Sequence, residues 1–191
     1  SGLEATPADG EVSLGWNAAT DAETYNVYRD TESGVGTSGS PLAENVEETS
    51  YTDESAENGT EYFYVVTGVA DEESDPSGEA EGAPFAPASG LEGTSGDSQI
   101  ELSWDAAAGA ETYNVYRSTE SGVDASGSPL EENVSETAFA DESAENGTTY
   151  YYVVTSANPN EEESSSSNEI EKTPFAEPPG SPGPPGPPGG S

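Results

Sequence analysis

Hydrophobic residues alternate with polar residues along much of this chain, at the period of two that is typical of half-buried β-strands. Val12, Leu14 and Trp16 form one such series, and Tyr25 and Val27 form another. No long stretch carries apolar residues at the 3.6-residue spacing of a helical face. Glycine, proline, serine and asparagine cluster between the alternating segments and predict turns. The pattern therefore predicts an all-β protein built from short antiparallel strands.

The chain contains two copies of one unit of about 88 residues. A shift of 88 positions leaves 46 of residues 1–67 unchanged, and the register slips by two residues only near 158–163. The strongest strand pattern, Tyr62–Val66, recurs as Tyr150–Val154 and is rich in aromatic and β-branched residues. Each copy supplies about seven short strands, which predicts one antiparallel sandwich per copy.

An ordered set of motifs occurs in each copy. In the first copy they are Leu14-x-Trp16, Tyr25-Asn-Val-Tyr-Arg29, Ser50-Tyr51-Thr52-Asp53 and Asn58-Gly-Thr60-x-Tyr62-x-Tyr64-Val-Val66. This series resembles the fibronectin type III module, especially the version found in secreted microbial proteins, and the second copy matches it as well. The resemblance implies a seven-stranded, immunoglobulin-like sandwich in each copy. It also implies that Trp16 and Trp104 fill the cores and that Tyr62 and Tyr150 form tyrosine corners.

The repeat and the composition divide the chain into four segments. They are module 1 at 1–84, a short linker at 85–89, module 2 at 90–174 and a Pro/Gly-rich tail at 175–191. In the tail, glycine recurs at every third position from Gly180 to Gly189, which is the collagen pattern. We expect a polyproline II-like tail that acts either as a stiff spacer or as one strand of a marginal triple helix.

Acidic residues outnumber basic residues by 39 to three, which gives a formal net charge of −36. This charge argues against nucleic acid as a partner and against binding to an anionic membrane surface. The chain also lacks an apolar run long enough for membrane insertion. Because concentrated salt screens repulsion among carboxylates, the composition predicts a protein from a halophilic microbe.

Histidine and cysteine are absent, so zinc sites, thiol nucleophiles, disulfides and Ser-His-Asp relays are excluded. Neighbouring carboxylates such as Glu47-Glu48 follow from the acidic composition, and no loop has the EF-hand pattern. We therefore expect no catalytic residue, no cofactor and no metal site, and we do not expect an enzyme.

Methionine is also absent, including from position 1, which predicts that a signal peptide has been removed and that the mature protein is extracellular. In that setting, sequons at Asn58, Asn133 and Asn146 are candidate N-glycosylation sites. Asn58 and Asn146 also have a structural explanation, because each precedes a glycine in a predicted turn.

The two modules end alike. Module 1 ends in Ala83-Pro84-Phe85-Ala86, and module 2 ends in Thr173-Pro174-Phe175-Ala176. If Phe85 packs between the modules, Phe175 is expected to pack against another copy of the chain, in a head-to-tail contact that builds a fibre. The tail adds a route to a trimer. The candidate self-assembly residues are Phe85, Phe175, Pro178, Pro179, Gly180, Gly183, Gly186 and Gly189.

These features favour a non-catalytic extracellular structural protein, the subunit of a filament or surface appendage whose partners are copies of itself. The alternative is a spacer, or a module that binds carbohydrate or a cell surface, in a secreted adhesive or polysaccharide-degrading system. The two hypotheses differ in whether the ends of the modules or an exposed binding face carry the function.

Overall fold

The computed structural model describes residues 2–176, which contain fourteen β-strands and no helix. The first seven strands are β1 (Glu4–Ala8), β2 (Glu11–Gly15), β3 (Thr24–Asp30), β4 (Ala43–Val46), β5 (Ser50–Asp53), β6 (Tyr62–Val69) and β7 (Ala80–Gly82). The second seven are β8 (Ser89–Ser95), β9 (Ile100–Asp105), β10 (Thr112–Ser118), β11 (Glu131–Val134), β12 (Ala138–Asp141), β13 (Tyr150–Ala157) and β14 (Ile170–Lys172). Within the described residues, no helix has the length and apolar character needed to cross a membrane.

Each repeat forms one three-stranded and one four-stranded antiparallel sheet. The first pair of sheets has the strand orders β1-β2-β5 and β4-β3-β6-β7, and the second pair repeats them as β8-β9-β12 and β11-β10-β13-β14. The predicted tandem of seven-stranded, all-β sandwiches is therefore confirmed for residues 2–176. We call β1–β7 the first sandwich and β8–β14 the second.

The alternating residues of β2 and β9 point into the two cores, as their period predicts. The indole ring of Trp16 meets the ring of Tyr25 edge-on, with centroids 5.5 Å apart, and Trp104 meets Tyr113 at 5.4 Å in the same way. The residues that fill the first core are Val12, Leu14, Trp16, Tyr25, Val27, Ala56, Tyr62, Tyr64 and Val66. Both tryptophans therefore serve packing, as the resemblance implies.

A tyrosine corner fixes the turn before the central strand of each sandwich. The Glu57 N–H donates to the hydroxyl oxygen of Tyr62 at 3.2 Å, and the Glu145 N–H donates to that of Tyr150 at the same distance. In the same turns Gly59 and Gly147 have φ angles of 81° and 83°, which glycine adopts without strain. The two corners thus hold matching loops in matching positions.

The two sandwiches are joined by residues 83–88, which lie between β7 and β8 and are called the joint segment below. The predicted linker, 85–89, overlaps this segment, and the predicted start of module 2 at residue 90 lies inside β8. The joint segment is where the two halves of the described chain meet, and it is the centre of the candidate site.

Candidate functional site

The joint segment is hydrogen-bonded to both sandwiches. The Phe85 N–H donates to the carbonyl oxygen of Ala8 in the first sandwich at 3.3 Å, and the Ala86 N–H donates to that of Ala108 in the second at 2.8 Å. The Phe85 side chain is only 2% exposed, and Ala88 is equally buried. A linker held from both sides restricts the motion of one sandwich relative to the other far more than a free tether would.

Two residues of the second sandwich allow this close fit. A Cβ atom placed on Gly109 would lie 2.6 Å from the Pro84 carbonyl oxygen, so the approach requires a residue without a side chain. The Ser156 hydroxyl donates to the carbonyl oxygen of Ala86 at 2.6 Å. We call residues 107–110 together with Ser156 the head face of the second sandwich.

The surface that the head face covers is the tail face of the first sandwich, formed by Gly59, Pro84 and Phe85. It is fixed by a hydrogen bond from the Gly59 N–H to the Pro84 carbonyl oxygen at 2.8 Å. A crevice of about 400 Å³ runs along the joint, and Phe85 lines it together with Glu163 of the second sandwich. The structure therefore places Phe85 between the two sandwiches.

The second sandwich has a tail face of the same design, formed by Gly147, Pro174 and Phe175. Its hydrogen bonds repeat those of the first, from Gly147 to Pro174 at 2.9 Å and from the Phe175 N–H to the Gly96 carbonyl oxygen at 3.0 Å. The Phe175 side chain is 54% exposed. The other candidate self-assembly residues, Pro178, Pro179, Gly180, Gly183, Gly186 and Gly189, lie outside the described residues, as does the predicted collagen-like tail.

The three candidate glycosylation sites differ in their surroundings. The Asn58 side chain accepts a hydrogen bond from the Gly10 N–H at 2.9 Å and donates to Asp9 at 2.8 Å. Asn146 makes the equivalent contacts with Ser98 and Asp97. These two amides therefore tie together neighbouring loops, which is their structural role.

Asn133 is an exposed residue of β11, at the bulge in the pairing of β11 with β10. Its φ angle is 58°, and its N–H donates to the Asn114 side-chain oxygen at 2.9 Å. The bulge belongs to an acidic crevice of about 250 Å³ that is also lined by Glu132, Glu161 and Glu163. Among residues 2–176, no group of acidic side chains has the arrangement of a metal site.

A buried polar cluster connects the two sheets inside each sandwich. Arg29 on β3 and Tyr64 on β6 both donate to the Asp53 carboxylate on β5, at 2.6 and 2.9 Å. The Arg29 guanidinium also lies 4.6 Å from the centre of the Tyr62 ring. The second sandwich repeats the cluster with Arg117, Asp141 and Tyr152. We call these two groups the Arg–Asp–Tyr clusters.

The electrostatics of these clusters favour structure over acid–base chemistry. Burial alone would raise the pKa of the Asp53 carboxyl, but hydrogen bonds from Ser55, Arg29 and Tyr64 outweigh it and hold that pKa below its ordinary value. Burial and the hydrogen bond to Asp53 raise the pKa of Tyr64 well above its ordinary value. The carboxylate stays charged and the phenol neutral near pH 7, so neither group is poised to transfer a proton.

Aromatic side chains offer little exposed surface for binding. A cleft of about 290 Å³ opens beside Trp16, Tyr25 and Val66, but both aromatic rings are buried in the first core. Phe175 is the one large hydrophobic side chain that is exposed within residues 2–176. The Trp16 and Trp104 indole nitrogens are both buried without a hydrogen-bond partner in that range, so this feature belongs to the repeated core rather than to one cleft.

Sequence analysis named Phe85 as a candidate self-assembly residue but missed Gly109 and Ser156, which contact the joint segment from the second sandwich. Gly109 and Ser156 stand where the first copy has Asp21 and Gly68, so the signal lay in the differences between the copies. The Arg–Asp–Tyr clusters were also missed. The sequence does contain a signal for these clusters, because Arg29 and Arg117, two of the three basic residues, recur at the same position of the repeat.

The paired antiparallel sheets and tyrosine corners define an immunoglobulin-like β-sandwich protein. Residues 89–173 match a family model described as the fibronectin type III domain SaeA third domain. A Fn3-like protein from Clostridium thermocellum is 33% identical over 48% of this chain and 96% of its own, with a TM-score of 0.40. Residues 89–173 therefore match the fibronectin type III family, and residues 2–84 repeat their strand order.

Two further proteins are similar to parts of the chain. A segment of 87 residues is 38% identical to an amylopullulanase of Thermoanaerobacter thermohydrosulfuricus; it makes up 44% of this chain and spans only 6% of that protein. A segment of two fibronectin type III domains from chicken tenascin is 20% identical, with a TM-score of 0.45, and the match covers 89% of this chain and 95% of the tenascin segment.

Proposed function

We propose that this chain is a non-catalytic connector in a secreted polysaccharide-degrading system, in which two fibronectin type III sandwiches set the distance between neighbouring parts. The observation that carries this proposal is the joint segment, which is hydrogen-bonded to Ala8 on one side and to Ala108 on the other. The similarity to a short segment of an amylopullulanase supports the setting, because that enzyme is named for its action on polysaccharides. Such a setting also supports an extracellular location.

A connector explains the surface better than a carbohydrate-binding module does. Sugar-binding platforms usually present exposed aromatic rings, whereas the tyrosines and tryptophans of residues 2–176 are buried or half-buried. The Arg–Asp–Tyr clusters hold their charges inside each sandwich and leave an anionic surface. Strong like charge favours a soluble, non-adhering spacer.

The connector role is tested by the distance between the sandwiches. Because the chain lacks cysteine, the double variant Glu44→Cys/Glu132→Cys carries spin labels only on the exposed strands β4 and β11. Pulsed electron paramagnetic resonance in 3 M NaCl should give one narrow distance distribution, which Phe85→Ser broadens. The matched control is Glu4→Cys/Glu44→Cys, with both labels in the first sandwich, whose distribution Phe85→Ser should leave unchanged. A broad distribution without Phe85→Ser would contradict a rigid connector.

A second measurement separates the connector from the binding module. The chain is mixed with insoluble starch and with cellulose at high salt, and the supernatant is assayed after sedimentation. A connector stays in solution with both. Retention on either polymer would favour the binding module instead.

A filament subunit is the second candidate, and the exposed Phe175 ring favours it. Negative-stain microscopy in strong brine should then show filaments that Phe175→Ser or deletion of residues 177–191 abolishes. We place this candidate second because an identical joint would bring Asp21 of another copy against Pro174.

A further inference from the structure

The tail face of the second sandwich repeats that of the first, but within residues 2–176 no head face lies against it. A Cβ placed on Gly59 would lie 3.4 Å from the Gly109 nitrogen, whereas a Cβ on Gly147 would meet no atom of the described residues within 4 Å. The same backbone hydrogen bonds hold both faces in the same shape. What covers the first tail face therefore indicates what would fit the second.

The Phe175 ring needs a partner for its burial more than the Phe85 ring does. Phe85 shares its crevice with Pro7 and Ala8 of its own sandwich. The equivalent residues beside Phe175 are Ser95 and Gly96, which are smaller or more polar. Burying a phenylalanine ring is favourable relative to leaving it exposed to water. An apolar contact supplied from outside is consequently favourable at this end.

The first sandwich is a poor partner for that tail face because of Asp21. Asp21 occupies the place of Gly109 in the repeat, and both have positive φ angles, 66° and 79°. At the joint, a Cβ at this place would lie 2.6 Å from the proline carbonyl oxygen and 3.1 Å from the Cα of Phe85. A docked second copy would therefore meet both a steric overlap and a carboxylate facing a carbonyl oxygen.

The first sandwich also lacks the hydroxyl that completes the joint. Gly68 stands where Ser156 donates to the Ala86 carbonyl oxygen. If a second copy docked on the tail face of the second sandwich, the carbonyl oxygen of Ala176 would lose this donor. A buried acceptor without a donor costs affinity. Asp21 and Gly68 thus act in the same direction.

We propose that the tail face of the second sandwich docks the head face of another β-sandwich module, one with glycine and serine at the positions of Gly109 and Ser156. The first sandwich of this chain, with Asp21 and Gly68, is rejected at the same site. The joint is selective: it orders unlike modules and suppresses association between copies of the chain. This inference names a partner for the connector and rests on the connector function.

The test supplies the matching head face on the chain itself. The variant with the matching head face is Asp21→Gly/Gly68→Ser/Phe175→Ser, called the acceptor variant. It gains the residues equivalent to Gly109 and Ser156 and loses its own exposed phenylalanine ring. The control variant is Phe175→Ser, with the original head face. Each is titrated to about 1 mM into ¹⁵N-labelled wild-type chain in 3 M NaCl. We expect shifts of the Gly147 and Phe175 amide signals with the acceptor, at an affinity about tenfold or more above that for the control.

Three results would overturn the proposal. Equal binding of acceptor and control would make a second copy the occupant, and no binding of the acceptor at 1 mM would mean that the face does not dock a module. Binding only after truncation behind Ala176 would show that residues 177–191 occupy the face. A control titration uses ¹⁵N-labelled Phe175→Ser, which lacks the exposed ring of the tail face. Its amide signals should not shift when the acceptor variant is added. None of these variants alters Phe85 or Gly109, so the distance test of the connector can succeed or fail independently.

Discussion

The first and second sandwiches share most of their sequence but differ at the end where each chain segment enters. In the second, Ala88 from the joint segment is part of the core that contains Trp104, and Leu91 is buried. In the first, Leu3 is only half-buried and a cleft of about 290 Å³ lies beside Trp16. The preceding segment, rather than the sandwich alone, completes this end of the core.

A side-chain difference reinforces the contrast. The Asn168 side chain accepts from the Leu91 N–H at 3.1 Å and donates to the Leu91 carbonyl oxygen at 3.0 Å. The equivalent residue of the first sandwich is Gly78, which has no side chain to make these bonds. The second sandwich therefore ties down its entering strand twice, by packing and by hydrogen bonds. Two near-identical repeats therefore differ in the packing and hydrogen bonds that hold their entering strands.

The largest expected effect is that of salt. Residues 2–84 carry 20 acidic side chains and one arginine, whereas residues 89–173 carry 18 acidic and two basic side chains. Lowering the salt concentration from 3 M to below a few tenths molar should abolish cooperative folding, because the repulsion is no longer screened. The first sandwich should unfold at the higher salt concentration. Circular dichroism, with a separate probe in each sandwich, measures the order. A thermal midpoint that stays constant from 0.1 to 3 M NaCl would contradict this expectation.

Breaking the Arg–Asp–Tyr clusters should be the most costly substitution. Arg29→Met leaves the Asp53 carboxylate, which is 1% exposed, without its cation, and we expect a loss of about 3 kcal/mol. This is the lower end of the usual range because Arg29 itself is 24% exposed. Arg117→Met should cost the same, since the two ion pairs measure 2.6 and 2.7 Å. Denaturant unfolding in 3 M NaCl gives the free energies.

Lys172→Met is the matched control for these arginine variants. It removes the same charge without touching a cluster, and it should change the free energy of unfolding by less than about 0.5 kcal/mol. Equal losses for Arg117→Met and Lys172→Met would show that net charge, and not the buried pair, accounts for the effect.

Low pH should destabilise the protein through the same Arg–Asp–Tyr clusters. Hydrogen bonds hold the pKa values of Asp53 and Asp141 below the ordinary value of about 3.9, despite burial. Their stabilisation is therefore fully present above about pH 4 and is lost as the pH falls through the lowered pKa values. In 3 M NaCl, where repulsion is screened, the thermal midpoint should be flat from pH 7 to 5 and fall below pH 4. A midpoint that rises continuously down to pH 3 would contradict the sign.

Gly109→Asp introduces into the head face of the second sandwich the residue type that the first sandwich has at the equivalent position, Asp21. The new side chain meets the Pro84 carbonyl oxygen, and overpacking of this kind costs about 1–3 kcal/mol. Asp21→Gly, the reverse change on the exposed head of the first sandwich, should be nearly neutral. Spin-label distances between Glu44→Cys and Glu132→Cys should broaden only for Gly109→Asp. A narrow distribution in that variant would show that the joint tolerates a side chain.

The fold was predictable because its signals are local. The alternation in Val12, Leu14 and Trp16 fixes which face of a strand is buried, and the Asn-Gly turns fix where strands reverse. The repeated Pro-Phe-Ala sequence made Phe85 a candidate self-assembly residue. Gly109 and Ser156 did not follow, because their roles depend on the carbonyl oxygens of Pro84 and Ala86, which only the folded joint brings near. Long-range pairs of this kind leave no period or spacing in the sequence.

The smallest expected effect exchanges the residues that distinguish the two entering strands. Asn168→Gly removes two hydrogen bonds to Leu91 and should lower the free energy of unfolding of the second sandwich by about 1–2 kcal/mol. Gly78→Asn offers the same bonds to Leu3 and should stabilise the first by less, because the described residues of the first core include no counterpart of Ala88 beside that strand. Amide hydrogen exchange of Leu3 and Leu91 in 3 M NaCl measures each effect locally. If both variants change protection equally, the hydrogen bonds alone set the difference and packing by Ala88 contributes nothing.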